Sequence, residues 1–253
     1  MRGHRQLADL VVHLARRQLA SQHRFTLLGW LWPLIRQLAQ LAVLVFLFSN
    51  VLDLGIENFA VFVFTGLLVW SWFAAAMTAA TPVLVNERHL VFSPRFPSIA
   101  LPLVAVAVPL VDALIAVPVL LVMLGFEGEL HPTLLLLPLV LAVQFAMTAG
   151  IALIASAVNV YFRDVNNIVG VGLLLIFYLT PVFYGLKNVP ERFQWLLQVN
   201  PLTPLVNVTR DVMLEGDLPA AGDVAVVLGV SAAAVLAGTF VFRRLEPDFV
   251  DEL

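Results

Sequence analysis

Two ionisable residues stand inside otherwise apolar sequence: Arg36 in the run 25–52 and Asp112 in the run 97–126. An ionised group in hydrocarbon costs several kcal/mol unless it faces protein or water. Each is therefore a gating or substrate contact, or a structural group: Arg36 snorkelling to a nearby interface, Asp112 held by a polar neighbour. Their opposite signs also allow an ion pair across the first and third runs. Aromatic side chains are the other site material: Trp70, Trp72 and Phe73, then Phe177, Tyr178, Phe183 and Tyr184. Such clusters form an interfacial belt, or they line a wide passage where rings stack on sugar faces and let a polymer slide.

The catalytic inventory is nearly empty. A phosphate loop needs lysine followed by a hydroxyl residue, and the sole lysine, Lys187, precedes Asn188. The five histidines, His4, His13, His23, His89 and His131, have no metal-binding spacing. His131 beside Glu127 and Glu129 reads as a solvated loop. With no cysteine there is no disulfide, thiolate metal site or thiol nucleophile. No G-x-S-x-G elbow occurs. A proton relay would string several acids along the spans, and only Asp112 qualifies, which weakens secondary transport. The net charge of −3 provides no field for nucleic acid.

The elements that must position these residues belong to a membrane. Of the 253 residues 61% are apolar and 12% charged, and the mean hydropathy is +0.96, so the chain cannot cover a soluble surface with charge. A span takes about 20 helical residues, and six runs are long enough: 25–52, 58–86, 97–126, 131–162, 165–186 and 224–242. These runs are apolar all round, unlike the alternating strands of a membrane barrel. The bases flank them unevenly. Arg2, Arg5, Arg16, Arg17 and Arg24 precede the first run, Arg88 and Arg95 lie between the second and third, Arg163 between the fourth and fifth, and Arg243 and Arg244 after the sixth. Cytoplasmic loops retain Lys and Arg, so both termini are expected on the cytoplasmic side. The polar start lacks the short apolar core of a cleavable signal peptide. Trp30 and Trp32 are expected to anchor the first span at that interface.

The chain thus reads as one all-α integral membrane domain over 1–253: an amphipathic helix in 1–24, spans one to five in 25–186, an outer segment 187–221, span six in 222–242 and a tail 243–253. Leu7, Leu10, Val11, Leu14 and Gln18 share a helical stripe, which suits a docking helix lying in the interface. Pro190, Pro201 and Pro204 break the outer segment, which carries Phe193 and Trp195. This suits a re-entrant or surface-lying helical pair, or an ordinary extracellular loop.

Strings spread along the chain carry a resemblance. They are Phe25-Thr26-Leu27-Leu28-Gly29-Trp30-Leu31-Trp32-Pro33-Leu34, Gly66-Leu67-Leu68-Val69-Trp70-Ser71-Trp72-Phe73, and the loop with Asn86 and Arg95-Phe96-Pro97. Further on come Asn159-Val160-Tyr161-Phe162-Arg163-Asp164-Val165, Leu179-Thr180-Pro181-Val182-Phe183-Tyr184, Val189-Pro190, Asn200-Pro201-Leu202-Thr203-Pro204 and Arg210-Asp211. In this order and spacing the chain resembles the permease subunits of ABC-2 type exporters that move lipid-linked polysaccharides or polyol phosphates, as in O-antigen, capsule and teichoic acid export.

The resemblance implies a homodimer of six-span subunits in the bacterial inner membrane, each bound to an ATP-binding cassette subunit. ATP and Mg would be held by that partner, and no cofactor by this chain. It implies coupling to the ATPase through Asn86, Glu87, Arg88, Phe92, Arg95 and Phe96, with Arg163, Asp164 and the N-terminal helix as further contacts. It also implies outer re-entrant helices at the exit, and a path lined by the seven aromatic residues for a lipid-linked polysaccharide. The loop departs from the family pattern in its added Pro94 and missing lysine, and Arg36 stands where a neutral residue is expected. A small-lipid or drug exporter of the same superfamily would have a narrower, more apolar path. A channel or secondary transporter would need no ATPase partner.

Overall fold

The structure is a computed structural model that describes residues 2–22, 29–50, 55–93, 96–128 and 130–253, and all regular elements among them are helical. Backbone in hydrocarbon must satisfy its own polar groups, and charge-free runs of this length do so as helices. In chain order they are α1 (Arg2–Gln22), α2 (Trp32–Asn50), α3 (Phe59–Ala80), the short α4 (Val83–Asn86) and α5 (Arg88–Val91), and α6 (Ala100–Glu127). Then come α7 (Leu137–Tyr161), α8 (Asp164–Leu179), α9 (Glu191–Val199), α10 (Leu202–Arg210), α11 (Ala221–Leu245) and α12 (Phe249–Glu252).

Five of these helices, α2, α3, α6, α7 and α11, are long and apolar enough to cross a membrane. Where the fifth expected run lies, the structure has α8, of 16 residues, about 24 Å long at 1.5 Å per residue. It stops because Pro181 has no N–H to continue the ladder, and Thr180 turns extended at φ −93°. The second expected run also breaks early. α3 ends at Ala80, before Pro82, and residues 83–86 form the separate α4. Pro109 and Pro118 inside α6, by contrast, leave the helix continuous.

Between membrane helices association depends on close packing and polar contacts. α7 crosses α11 where Gly150 meets Gly238 and Ala234, so closely that a Cβ on either glycine would be driven into the other helix's backbone. Polar side chains add fixed links between helices. Gln144 Nε2 donates to the Val69 carbonyl at 2.8 Å, joining α7 to α3, and Trp72 Nε1 donates to the Val106 carbonyl at 3.2 Å, joining α3 to α6. α1 lies along α6, with Ala15 and Leu19 buried against Val104 and Val108. The expected stripe is partly buried there, with Ala15 and Leu19 as its centre.

The two ends of the bundle differ in charge. α4, α5, the α7–α8 turn and the α11–α12 corner converge on one apolar cluster that holds Leu84, Val91, Val160, Phe242 and Phe249. Arg88, Arg163, Arg243 and Arg244 all border this end, as their placement in sequence anticipates. At the opposite end α9 and α10 form a helical pair. α9 is mostly exposed, with Trp195 58% and Phe193 44% accessible, whereas α10 is buried between α3, α7 and α11.

Candidate functional site

At the base-bearing end the chain after α3 makes two four-residue helices joined at Glu87. Leu84 and Val91 are buried and fasten α4 and α5 to the cluster beneath; Phe96 packs on the same cluster. Pinning those apolar points leaves Asn86, Arg88, His89 and Phe92 on the outside. His89 Nε2 sits 3.7 Å from the Glu87 carboxylate. Phe92 is 46% exposed beside these charges, and an exposed ring on a fixed seat suits a protein contact. Arg163 and Asp164 are exposed at the α7–α8 turn of the same end. Asn159 Oδ1 fixes that turn by accepting the Asn166 N–H at 3.1 Å. The structure thus brings seven of the eight expected coupling residues to one end. Arg95, and the side chain of Trp30, lie outside the described residues.

The expected path residues divide. Trp70 packs 6.2 Å from Phe73 and 5.4 Å from Phe177, and Phe177 lies 5.4 Å from Tyr178 and 5.8 Å from Phe183. Phe183 in turn meets Tyr184 at 5.1 Å. Trp72 is not in this row. At about 100° per helical residue it points away from Trp70, toward α6 and to Phe145, whose ring is 6.4 Å away. Three rings that sequence reasoning did not single out extend the row: Phe48 at 5.1 Å from Phe183, Phe59 at 6.1 Å from Phe48, and Phe62 at 6.5 Å from Phe59. Phe59 and Phe62 stand at i and i+3 on α3, a same-face spacing that signals them.

Within the row Trp70, Phe73 and Phe59 are buried, whereas the helices beside it carry exposed apolar faces. α8 has no buried residue, and Ile168, Val171, Leu174 and Leu175 are all about 60% exposed. α2 likewise exposes Val43 and Phe46. Arg36 and Asp112 border one cavity of about 510 Å³ between α2, α3 and α6. Among the described residues no ion pair joins them.

The strings that break α8 and pair α9 with α10 turn out to pin one another. Asn200 Nδ2 donates to Thr180 Oγ1 at 2.8 Å, while its Oδ1 accepts the Leu202 N–H at 3.0 Å. Arg210, 5% exposed, donates through Nη2 to the Val182 and Phe62 carbonyls at 2.8 and 3.3 Å, and its guanidinium lies 3.5 Å from the Phe62 ring centroid. Gly66 leaves the room: a Cβ there would meet the Val182 oxygen at 2.9 Å and Arg210 Nη2 at 3.1 Å. In the sequence Arg210 stands out only within the string Arg210-Asp211, with no role attached; here it ties α10, α3 and the break after α8 together. Around it the end is acidic. Burial raises the Asp211 carboxyl above its ordinary range; the Ala220 backbone N–H lowers it, and Glu215, Asp223 and Asp217 raise it further.

Removing Arg210 strands the buried Val182 carbonyl, while the Phe62 carbonyl keeps the Thr65 hydroxyl at 2.8 Å, and an unmet buried group costs about 1–3 kcal/mol. Arg210→Leu is expected to lower the melting temperature in detergent and to speed proteolysis within 180–200, while cross-linking at the opposite end is unchanged. An unaltered melting temperature would show that the tie carries no stability.

Comparison with known proteins matches the same extent of chain. The family described as ABC-2 type transporter matches residues 9–214. The chain is 31% identical over 252 residues, 98% of its length and 96% of the relative's, to an O-antigen export system permease protein, RfbA, of Myxococcus xanthus. It is 32% identical over 215 residues, 84% of this chain and 83% of the relative, to an RfbA of Klebsiella pneumoniae. A more distant relative is the polysialic acid transport protein KpsM of Escherichia coli, 23% identical over 197 residues and 75% of each chain.

Proposed function

Because the chain belongs to the ABC-2 type transporter family, we propose that it is the membrane subunit of an ATP-driven exporter that carries a lipid-linked polysaccharide of the O-antigen kind across the bacterial inner membrane. The observation that carries this reading is the likeness over 98% of the chain to an O-antigen export permease. Two copies work with two ATP-binding cassette subunits, which hold ATP and Mg; this chain performs no catalysis. α8 crosses as a short sixth span, the base-bearing end faces the cytoplasm, and α9 with α10 re-enters from the outside.

Each part of the proposed cycle has a physical support in the chain. The seat of α4 and α5 is fixed to α6, α7 and α11 through buried Leu84 and Val91, so a push on it moves spans as rigid bodies rather than a slack loop. The bare faces of α2 and α8 flank the aromatic row, so a second copy placed there would enclose a ring-lined path. Phe73, Trp70, Phe177, Phe183, Tyr184 and Tyr178 would line it, and Trp72 would brace its wall from the α6 side. Flat rings bind sugar faces without demanding one sequence of hydroxyls, which suits a sliding polymer. Export of the polymer is tested by mild-detergent purification of the tagged chain from its native membrane. A protein of ATP-binding character is expected in a one-to-one ratio, and a homogeneous chain with no such companion under several gentle conditions would count for a channel or self-sufficient transporter.

A further inference from the structure

The cavity between α2, α3 and α6 lies behind the aromatic row. Its wall carries Arg36, Gln37 and Gln40 from α2, Trp70 and Ser71 from α3, and Asp112 from α6. Gln37 is only 7% exposed, yet its Nε2 has no hydrogen-bond partner among the described residues. A buried donor without an acceptor costs stability, and such a group calls for an explanation beyond packing. Arg36, which borders the same space, makes no ion pair among the described residues. A guanidinium and a buried amide that border one chamber suit an oxyanion, with the guanidinium fork matched to phosphate. Gln40, one turn along α2 from Arg36, and Ser71 across from it on α3 can bind sugar hydroxyls, and Trp70 offers a ring.

The chamber is set in apolar helices and reaches Pro33 and Thr78 near the base-bearing end. A polar head with an apolar tail fits that surrounding. Trp70 is shared: it lines the chamber and also packs 5.4 Å from Phe177 in the row. We propose that this chamber, formed within a single chain, binds the phosphorylated-sugar head of a membrane amphiphile, with Arg36 and Gln37 on the phosphate. The proposal rests on the export reading, which makes the chamber a holding site for the substrate's head before it passes Trp70 into the row.

The test is equilibrium binding to the full chain, with any partner that co-purifies, in lipid nanodiscs. Four probes separate the sources: decyl glucosyl phosphate, decyl glucoside, decyl phosphate and free glucose 1-phosphate. Decyl glucosyl phosphate is expected to bind most tightly, and Arg36→Gln and Gln37→Leu each to weaken it about tenfold or more, the loss of a hydrogen bond to a charged group. Gln37→Leu is also expected to raise the melting temperature of the probe-free protein, because it removes an unmet buried amide. A Gln37→Leu protein that melts lower and binds normally would reduce Gln37 to a structural role and overturn the site. Equal binding of free glucose 1-phosphate would overturn the amphiphile, and equal binding of decyl glucoside would overturn the phosphate. These readouts need no ATPase, so failure of the export reading would show in co-purification and not here.

Discussion

Replacing Gly150 with Leu is expected to leave almost no folded permease in the membrane. The cause is backbone, not side-chain, crowding: a Cβ at Gly150 collides with Ala234, and one at Gly238 collides with the Gly150 carbonyl. A flexible side chain could rotate away, but two helix backbones must separate, and the whole α7–α11 seam separates with them. Overpacking costs about 1–3 kcal/mol where side chains can adjust, and more where they cannot. That is a large share of a stability of roughly 5–15 kcal/mol. Gly238→Leu is expected to do the same from the facing helix. Gly229→Leu, on α11 where a Cβ meets nothing within 4 Å, is the control that leaves folding intact. Size-exclusion profiles and membrane abundance of the three variants check this; a monodisperse Gly150→Leu protein at normal levels would refute the close crossing.

The second large effect concerns function with the fold preserved. Phe92 and Arg88 are exposed, and their seat is held by Leu84 and Val91 rather than by themselves. Phe92→Asp combined with Arg88→Glu is therefore expected to leave melting temperature unchanged while the proposed ATP-binding partner no longer co-purifies. Truncating a central aromatic contact commonly costs 2 kcal/mol or more, about 30-fold in affinity, and the reversed charge adds to it. Retention of a one-to-one complex by the double variant would move the coupling surface elsewhere. Leu84→Asp, in contrast, is expected to damage the fold itself, because it buries a charge in the cluster.

Much of this was legible from residue types alone. Long apolar runs, two of them holding a single charge, located α2, α3, α6, α7 and α11, since twenty or so apolar residues have no other way to satisfy their backbone in lipid. The uneven arginines found the shared end of Arg88, Arg163 and Arg243. The run 165–186 read as a full span because hydropathy does not register that Pro181 ends a helix at Leu179. The apolar stripe of α1 was visible, but its docking onto Val104 and Val108 of α6 was not, because a stripe says that a face is buried and not by what.

At the site, the exposed charges of the base-bearing end followed from position, and the aromatic contacts from composition. Trp70 and Trp72 were grouped although residues two apart on a helix face different ways. Arg210 was hidden because its partners are main-chain carbonyls of Phe62 and Val182, which no side-chain pattern announces. The α7–α11 crossing did leave a trace: Ala146 and Gly150, and Ala234 and Gly238, are each small residues four apart.

The central claim is that this chain, driven by a partner's ATP hydrolysis, carries a lipid-linked polysaccharide outward. It is tested most directly in the native host, by removing the chain and following that polymer on both sides of the inner membrane. The account predicts that the surface polysaccharide disappears and its lipid-linked form accumulates on the cytoplasmic side. It also predicts that export returns with the intact chain but not with the Phe92→Asp, Arg88→Glu variant. Normal surface polysaccharide with no internal accumulation after loss of the chain would contradict it.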